Sequence, residues 1–226
     1  MKICNVSGIK MILDLAAVLG LLASMGFRVT GSTLHEWLGT GTVILFVAHN
    51  ILNYRWYGML FRGRYGVFRV INTAVNLLLV SPILLLLVTG MMTSRILFPY
   101  MPGPDGMFIR QMHVLAAYWS LVLVSVHLGL HGKLVRETVW KIVACFPWSR
   151  FWMAVLRVFV LLLACYGVKA SFEQNVGAKL IMYYSFDFWN PNSSAVMYFL
   201  AYLAIMAVWA VSVYYFQKLV RFWMSS

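Results

Sequence analysis

Apolar stretches long enough to cross a bilayer recur about six times along this chain, at roughly 9–27, 35–54, 70–93, 112–132, 151–170 and 195–217. A hydrocarbon core about 30 Å thick is crossed by about 20 apolar residues in helical form. Lipid offers the backbone no hydrogen-bonding partner, so a helix must satisfy itself. That constraint points to one fold class, an all-α, polytopic membrane helix bundle of about six transmembrane helices. Composition agrees: the 226 residues are 62% hydrophobic and 11% charged, far from an ordinary soluble domain. Short connections leave no room for a separate soluble domain, so residues 1–226 read as a single transmembrane domain.

The net charge of +12 raises the question of nucleic acid, and its distribution answers it. With the N-terminus inside, thirteen basic residues fall on the cytoplasmic side: Lys2, Lys10, Arg55, Arg62, Arg64, Arg69, Lys133, Arg136, Lys141, Arg150, Arg157, Lys218 and Arg221. Five fall outside: Arg28, Arg95, Arg110, Lys169 and Lys179. This is the positive-inside bias of a multi-pass protein with both termini cytoplasmic. The basic loops face anionic lipid headgroups, and nucleic-acid binding has no support.

Lys2 and Lys10 ahead of an apolar run imitate a signal peptide, with Ala23-Ser24-Met25-Gly26 as small residues. The run from Met11 to Phe27 is long for that purpose, and Ala16, Gly20 and Ser24 repeat every fourth residue, as in close-packed membrane helices. A retained first helix is the expectation, with Asp14 in a local ion pair with Lys10 one turn away. Cys4, Cys145 and Cys165 are widely spaced and form no metal or c-type haem motif, and no glycine-rich dinucleotide fingerprint occurs.

Four of the five histidines form two matched pairs. His35 and His49 lie 14 residues apart in the second apolar run, and His113 and His127 lie 14 apart in the fourth. On a helix that spacing is roughly 21 Å of rise and a return to within roughly 40° of the same face. The two runs are parallel, because one span separates them. His35 therefore faces His113 near the outer surface, and His49 faces His127 near the inner one. This is the arrangement needed for axial ligation of two b-type haems. Two strong axial ligands leave no open iron position, which favours electron transfer over oxygen chemistry. Zinc would gather its ligands at one tetrahedral point and copper would call for nearby cysteine or methionine, so both fit less well.

His131 lies one turn beyond His127 and almost back on the face of His113. Three roles stay open for it: the true inner ligand, a polar group beside the inner haem or a quinone, and a solvated interfacial residue. Asn53 stands at the same offset from His49. Gly39 and Gly41 follow His35 where a flat macrocycle would press on the helix, with helix–helix packing as the alternative. Ser81-Pro82 predicts a kink in the third run, its freed carbonyl satisfied by neighbouring groups.

The segments His35–Gly39 and Ala48–Tyr57, followed by Arg69–Asn76, His113–Trp119 and Ser125–His131, resemble the flavinylation-associated cytochrome family. That family is related in layout to ferric-reductase and formate-dehydrogenase cytochrome b subunits. Phe186-Asp187-Phe188 and Tyr202–Met206 are also similar, so the likeness covers most of the chain. It implies a six-helix protein with two haem b, passing electrons across a prokaryotic inner membrane toward an extracytoplasmic flavoprotein. The haem-binding core would be a four-helix unit at roughly 9–132, with a C-terminal helix pair at roughly 151–217. Any flavin would sit on the partner, since nothing in this chain looks like a flavin-attachment domain. The segment 95–111, rich in proline and glycine, is expected to be an irregular outer loop. The aromatic residues Tyr183, Tyr184, Phe186, Phe188 and Trp189 are expected to anchor at the interface or meet a partner.

Three functions compete. The leading one is a di-haem electron conduit, the electron-transfer component of an oxidoreductase system. The second is a membrane oxidoreductase with its own substrate, a quinol near His131 or a ferric ion at the outer haem. The third is a haem-free scaffold or carrier, against which the four histidines argue.

Overall fold

A computed structural model describes residues 2–101, 106–183 and 194–225, with side chains from residue 8 onward except those of 142 and 225. Among the described residues every regular element is helical: α1 (Lys2–Ser24), α2 (Phe27–Leu52), α3 (Arg55–Met59), α4 (Val67–Thr93), α5 (Met107–Leu130), α6 (Gly132–Val143), α7 (Ser149–Glu173), α8 (Val176–Leu180) and α9 (Ala195–Ser225). Cys4, Pro102–Asp105, Tyr184, Phe186, Asp187, Phe188 and Trp189 lie outside the described side chains.

Four helices, α4, α5, α7 and α9, are long and apolar enough to cross a membrane. Only 11% of the most apolar stretch of α4, and of α7, is buried inside the protein. Leu77, Leu78, Leu84 and Val88 on α4 stand exposed, as do Val158, Phe159, Leu162 and Val168 on α7. A monomer in water does not show apolar area on that scale, and lipid is the solvent that suits it. The helices α1 and α2 are of similar length but carry Lys10 and Asp14, and His35, Glu36, His49 and Asn50, within them.

Long helices pair in chain order: α1 packs on α2, α4 on α5 and α7 on α9, while α5 also packs on α9. Small residues make the close approaches. A Cβ on Gly167 would stand 2.1 Å from the Ala204 carbonyl oxygen, and one on Gly129 would stand 2.6 Å from that of Ala210. In α1 a Cβ on Gly20 would stand 2.6 Å from Thr42 Oγ1, and Ser24 Oγ lies 3.5 Å from the same atom, so the small-residue stripe does seat α2. The apolar core lies where α5, α7 and α9 meet, around Leu121, Tyr202 and Ile205. By contrast α2 and α4 touch sparsely.

Three local features depart from the sequence expectation. The α1–α2 connection is only Met25-Gly26, and α2 begins at Phe27 rather than near 35. Gly31 breaks that helix at φ 72°, ψ 177°, a conformation essentially reserved for glycine, so residues before it form a separate first turn. Helix α5 begins at Met107, inside the stretch expected to be an irregular loop. Residues 132–143 form the amphipathic helix α6, too short and too charged to register as an apolar run. Pro82 sits inside α4 and cannot donate to the Leu78 carbonyl, to which Ser81 Oγ donates instead at 2.9 Å, so the freed carbonyl is satisfied locally as expected.

Candidate functional site

Because α2 and α4 barely meet, a cavity of about 2190 Å³ opens between the α1–α2 pair and the α4–α5 pair. A pocket for one drug-sized ligand is about 300–1,000 Å³, so this one has room for two large planar groups. All five histidines line it: His35, His49, His113, His127 and His131.

At one end, the ring centres of His35 and His113 are 6.0 Å apart with planes at 72°. For two imidazoles on opposite sides of one metal, bonds of about 2 Å and roughly 1 Å from nitrogen to ring centre give a separation of about 6 Å. The contact brings the N-terminal halves of α2 and α5 together. Residue Phe27, delivered by the glycine break, meets the His35 ring edge-on at 5.2 Å.

In three of the imidazoles the Nδ1 atom has a partner on another helix. Thr89 gives its one hydroxyl proton to the Leu85 carbonyl at 2.6 Å, so its oxygen accepts from His113 Nδ1 at 3.0 Å. Asn76 Oδ1 accepts from His127 Nδ1 at 2.8 Å. Asp14 Oδ1 lies 2.6 Å from His49 Nδ1, and a carboxylate can only accept. In all three the proton sits on Nδ1, leaving the Nε2 lone pair for a ligand. The fourth, His35, has a buried Nδ1 with no hydrogen-bond partner.

Asp14 is thus not engaged with Lys10, contrary to the local pairing expected one turn apart. Its carboxylate accepts a hydrogen bond from His49 Nδ1 across the α1–α2 contact, while Lys10 Nζ donates to Asn53 Oδ1 at 3.3 Å. The rings of His49 and His127 do not touch. His131 tilts against His127 with ring centres 4.6 Å apart, which places it beside that ring rather than across a metal from it. Gly39 lines the cavity, and a Cβ there would meet nothing within 4 Å; Gly41 is equally open but does not line it.

Several contributors escape a reading by spacing. Glu36, next to His35, accepts from Ser94 Oγ at 2.7 Å and from the backbone N–H groups of Arg95, Ile96 and Leu97 at 3.0, 3.1 and 3.1 Å. The carboxylate thereby ties the histidine end of α2 to the chain leaving α4. Arg28, Arg95, Arg110 and Lys179, four of the five basic residues assigned to the outer side, all line the cavity. Paired amides in an apolar helix, Asn72 and Asn76, were the available signal for a polar face on α4.

Among the described residues, no three His, Cys, Asp or Glu side chains gather as they would around a bare metal ion. Iron held in a macrocycle asks the protein for only two axial ligands. No known family model, curated protein or solved structure matches the chain. The likeness to the flavinylation-associated cytochromes therefore rests on its motifs.

Proposed function

We propose that this protein is a b-type di-haem electron carrier of six membrane spans. It would move electrons across a prokaryotic inner membrane toward an extracytoplasmic flavoprotein. The observation that carries this reading is a set of hydrogen bonds: Nδ1 of three cavity-lining imidazoles, His113, His127 and His49, pairs with Thr89, Asn76 and Asp14, an arrangement that frees Nε2 of each neutral ring for a ligand. Iron-ligating histidines have this pattern, because the outer hydrogen bond fixes the ring and raises its basicity.

His35 and His113 would hold the outer haem, and His49 and His127 the inner one. When bound, each supplies a reversible one-electron iron couple. The residues around them orient and balance charge. Arg28, Arg95, Arg110 and Lys179 supply positive charge for carboxylates at the His35 end. Gly39 leaves the flat face of α2 clear. The position of their polar residues also supports membrane crossing by α1 and α2, since Lys10, Asp14, His35, Glu36, His49 and Asn50 all line the cavity. The basic asymmetry of the loops supports cytoplasmic termini.

Asp14 gives a directional prediction. Its carboxylate makes His49 a stronger donor and so favours the ferric state. Asp14→Asn should raise the potential of one haem and leave the other where it was, as read by a redox titration. Two unmoved potentials would remove Asp14 from the site. Transport is tested in sealed proteoliposomes with ferricyanide trapped inside and an impermeant reductant outside. Trapped acceptor should be reduced only when haem-loaded protein is present. Equal rates with haem-free protein would contradict the proposal.

A further inference from the structure

Away from the histidines, a second pocket of about 450 Å³ opens between α6 and α7. Arg136, Glu137 and Trp140 of α6 line it, with Arg150, Met153 and Arg157 of α7. Helical spacing gathers them, because residues four apart share a face of α6 and residues three and seven apart share a face of α7. Three cations thus border one small space with a single carboxylate, and Glu137 Oε1 also lies 3.9 Å from Lys133 Nζ on its own helix. Among the described residues, none of the three guanidinium groups has a hydrogen bond or an ion pair. Like charges so placed repel one another, and one shared carboxylate does not offset three.

Arg157 sharpens the demand. It stands beyond Ser149 by about 12 Å of rise, on a helix long and apolar enough to cross a membrane. A cation at that depth is costly unless it pairs or reaches back to the headgroup layer. The surface beyond the pocket is apolar: Val158, Leu161 and Leu162, on the following turns of α7, all stand exposed. Trp140 is exposed too, and indole rings collect at the headgroup level of a bilayer.

We propose that this pocket binds a phospholipid of net negative charge, its phosphodiester held by Arg136, Arg150 and Arg157 and its acyl chains laid along Val158, Leu161 and Leu162. Guanidinium groups suit phosphate because their planar fork donates two parallel hydrogen bonds to it. Charge alone would admit a soluble phosphate; the apolar continuation of α7 selects the lipid. A zwitterionic lipid brings another cation to a site already rich in them, so an anionic headgroup is preferred. The site is separate from the histidines and indifferent to what they bind.

The test offers purified full-length protein in detergent equal amounts of phosphatidylglycerol and phosphatidylcholine with the same acyl chains, and native mass spectrometry counts the lipid retained. Phosphatidylglycerol should be retained about tenfold over phosphatidylcholine, and Arg150→Gln/Arg157→Gln should bring that ratio to about one. Lys218→Gln/Arg221→Gln removes the same charge from α9 and should leave the ratio as it was. Equal retention of the two lipids by the unaltered protein, or an equal fall in the α9 variant, overturns the site. Thermal stabilisation by inorganic phosphate as large as that by phosphatidylglycerol, and lost in the α7 variant, gives the pocket to a soluble anion and overturns the lipid assignment. Should the α7 variant fail to fold, Arg136→Gln on α6 should lower the ratio by about threefold or more, and an undiminished ratio there overturns the proposal equally.

Discussion

Alanine at His35 or His113 should remove one haem and leave most of the other, and alanine at His49 or His127 should do the reverse. On the proposed assignment the two sites would be separated by roughly 21 Å of helix, so each iron would lose one of its own two ligands while its neighbour keeps both. The effect is all-or-none at the altered end, because a single imidazole leaves an open iron position and half the coordination strength. Haem per chain and the residual absorption band read it directly. His131→Ala should retain both haems, since its ring lies beside His127 and not opposite it. Full haem content in any of the four ligand variants would show that its assignment is mistaken.

The second large effect separates packing from cofactor binding. Gly167→Ala drives a Cβ to 2.1 Å from a backbone oxygen of α9, which no rotamer change relieves. Forcing the helices apart should cost about 1–3 kcal/mol or more and lower the thermal transition of the whole protein. Gly39→Leu should do the opposite to stability: its Cβ enters open space, and leucine is the better helix former. It should nevertheless weaken haem binding at the His35 end, by about 5- to 150-fold if overpacking costs about 1–3 kcal/mol. An unmoved melting transition in Gly167→Ala would mean that α7 and α9 do not pack as described. Full haem affinity in Gly39→Leu would mean that no flat group lies against α2 there.

What the sequence conveys depends on whether the information is periodic or distant. Apolar runs announce helices because lipid exposure imposes the same demand on every turn, and α4, α7 and α9 are read well on that basis. The 14-residue spacing is likewise periodic, and the His35–His113 ring contact follows from it. The partners of the imidazoles are not periodic. Thr89, Asn76 and Asp14 lie 24, 51 and 35 residues from their histidines, and only packing of separate helices joins them. Asp14 is instructive: the local rule pairs it with Lys10, yet an imidazole on the facing helix takes it. Arg28, Arg95, Arg110 and Lys179 read as a sparse minority in a count of charges by side, because such a count discards where on that side they stand. Helix α6 was hidden by its own balance of charge and apolar residues over 12 positions.

The most direct measurement is a reduced-minus-oxidised absorption spectrum of the purified protein, with haem counted per chain. Two non-covalently bound haems per chain, each with the low-spin b-type signature of bis-histidine ligation, is the predicted result. A protein that purifies folded and without haem, or with iron in a high-spin state open to added ligands, would contradict the account.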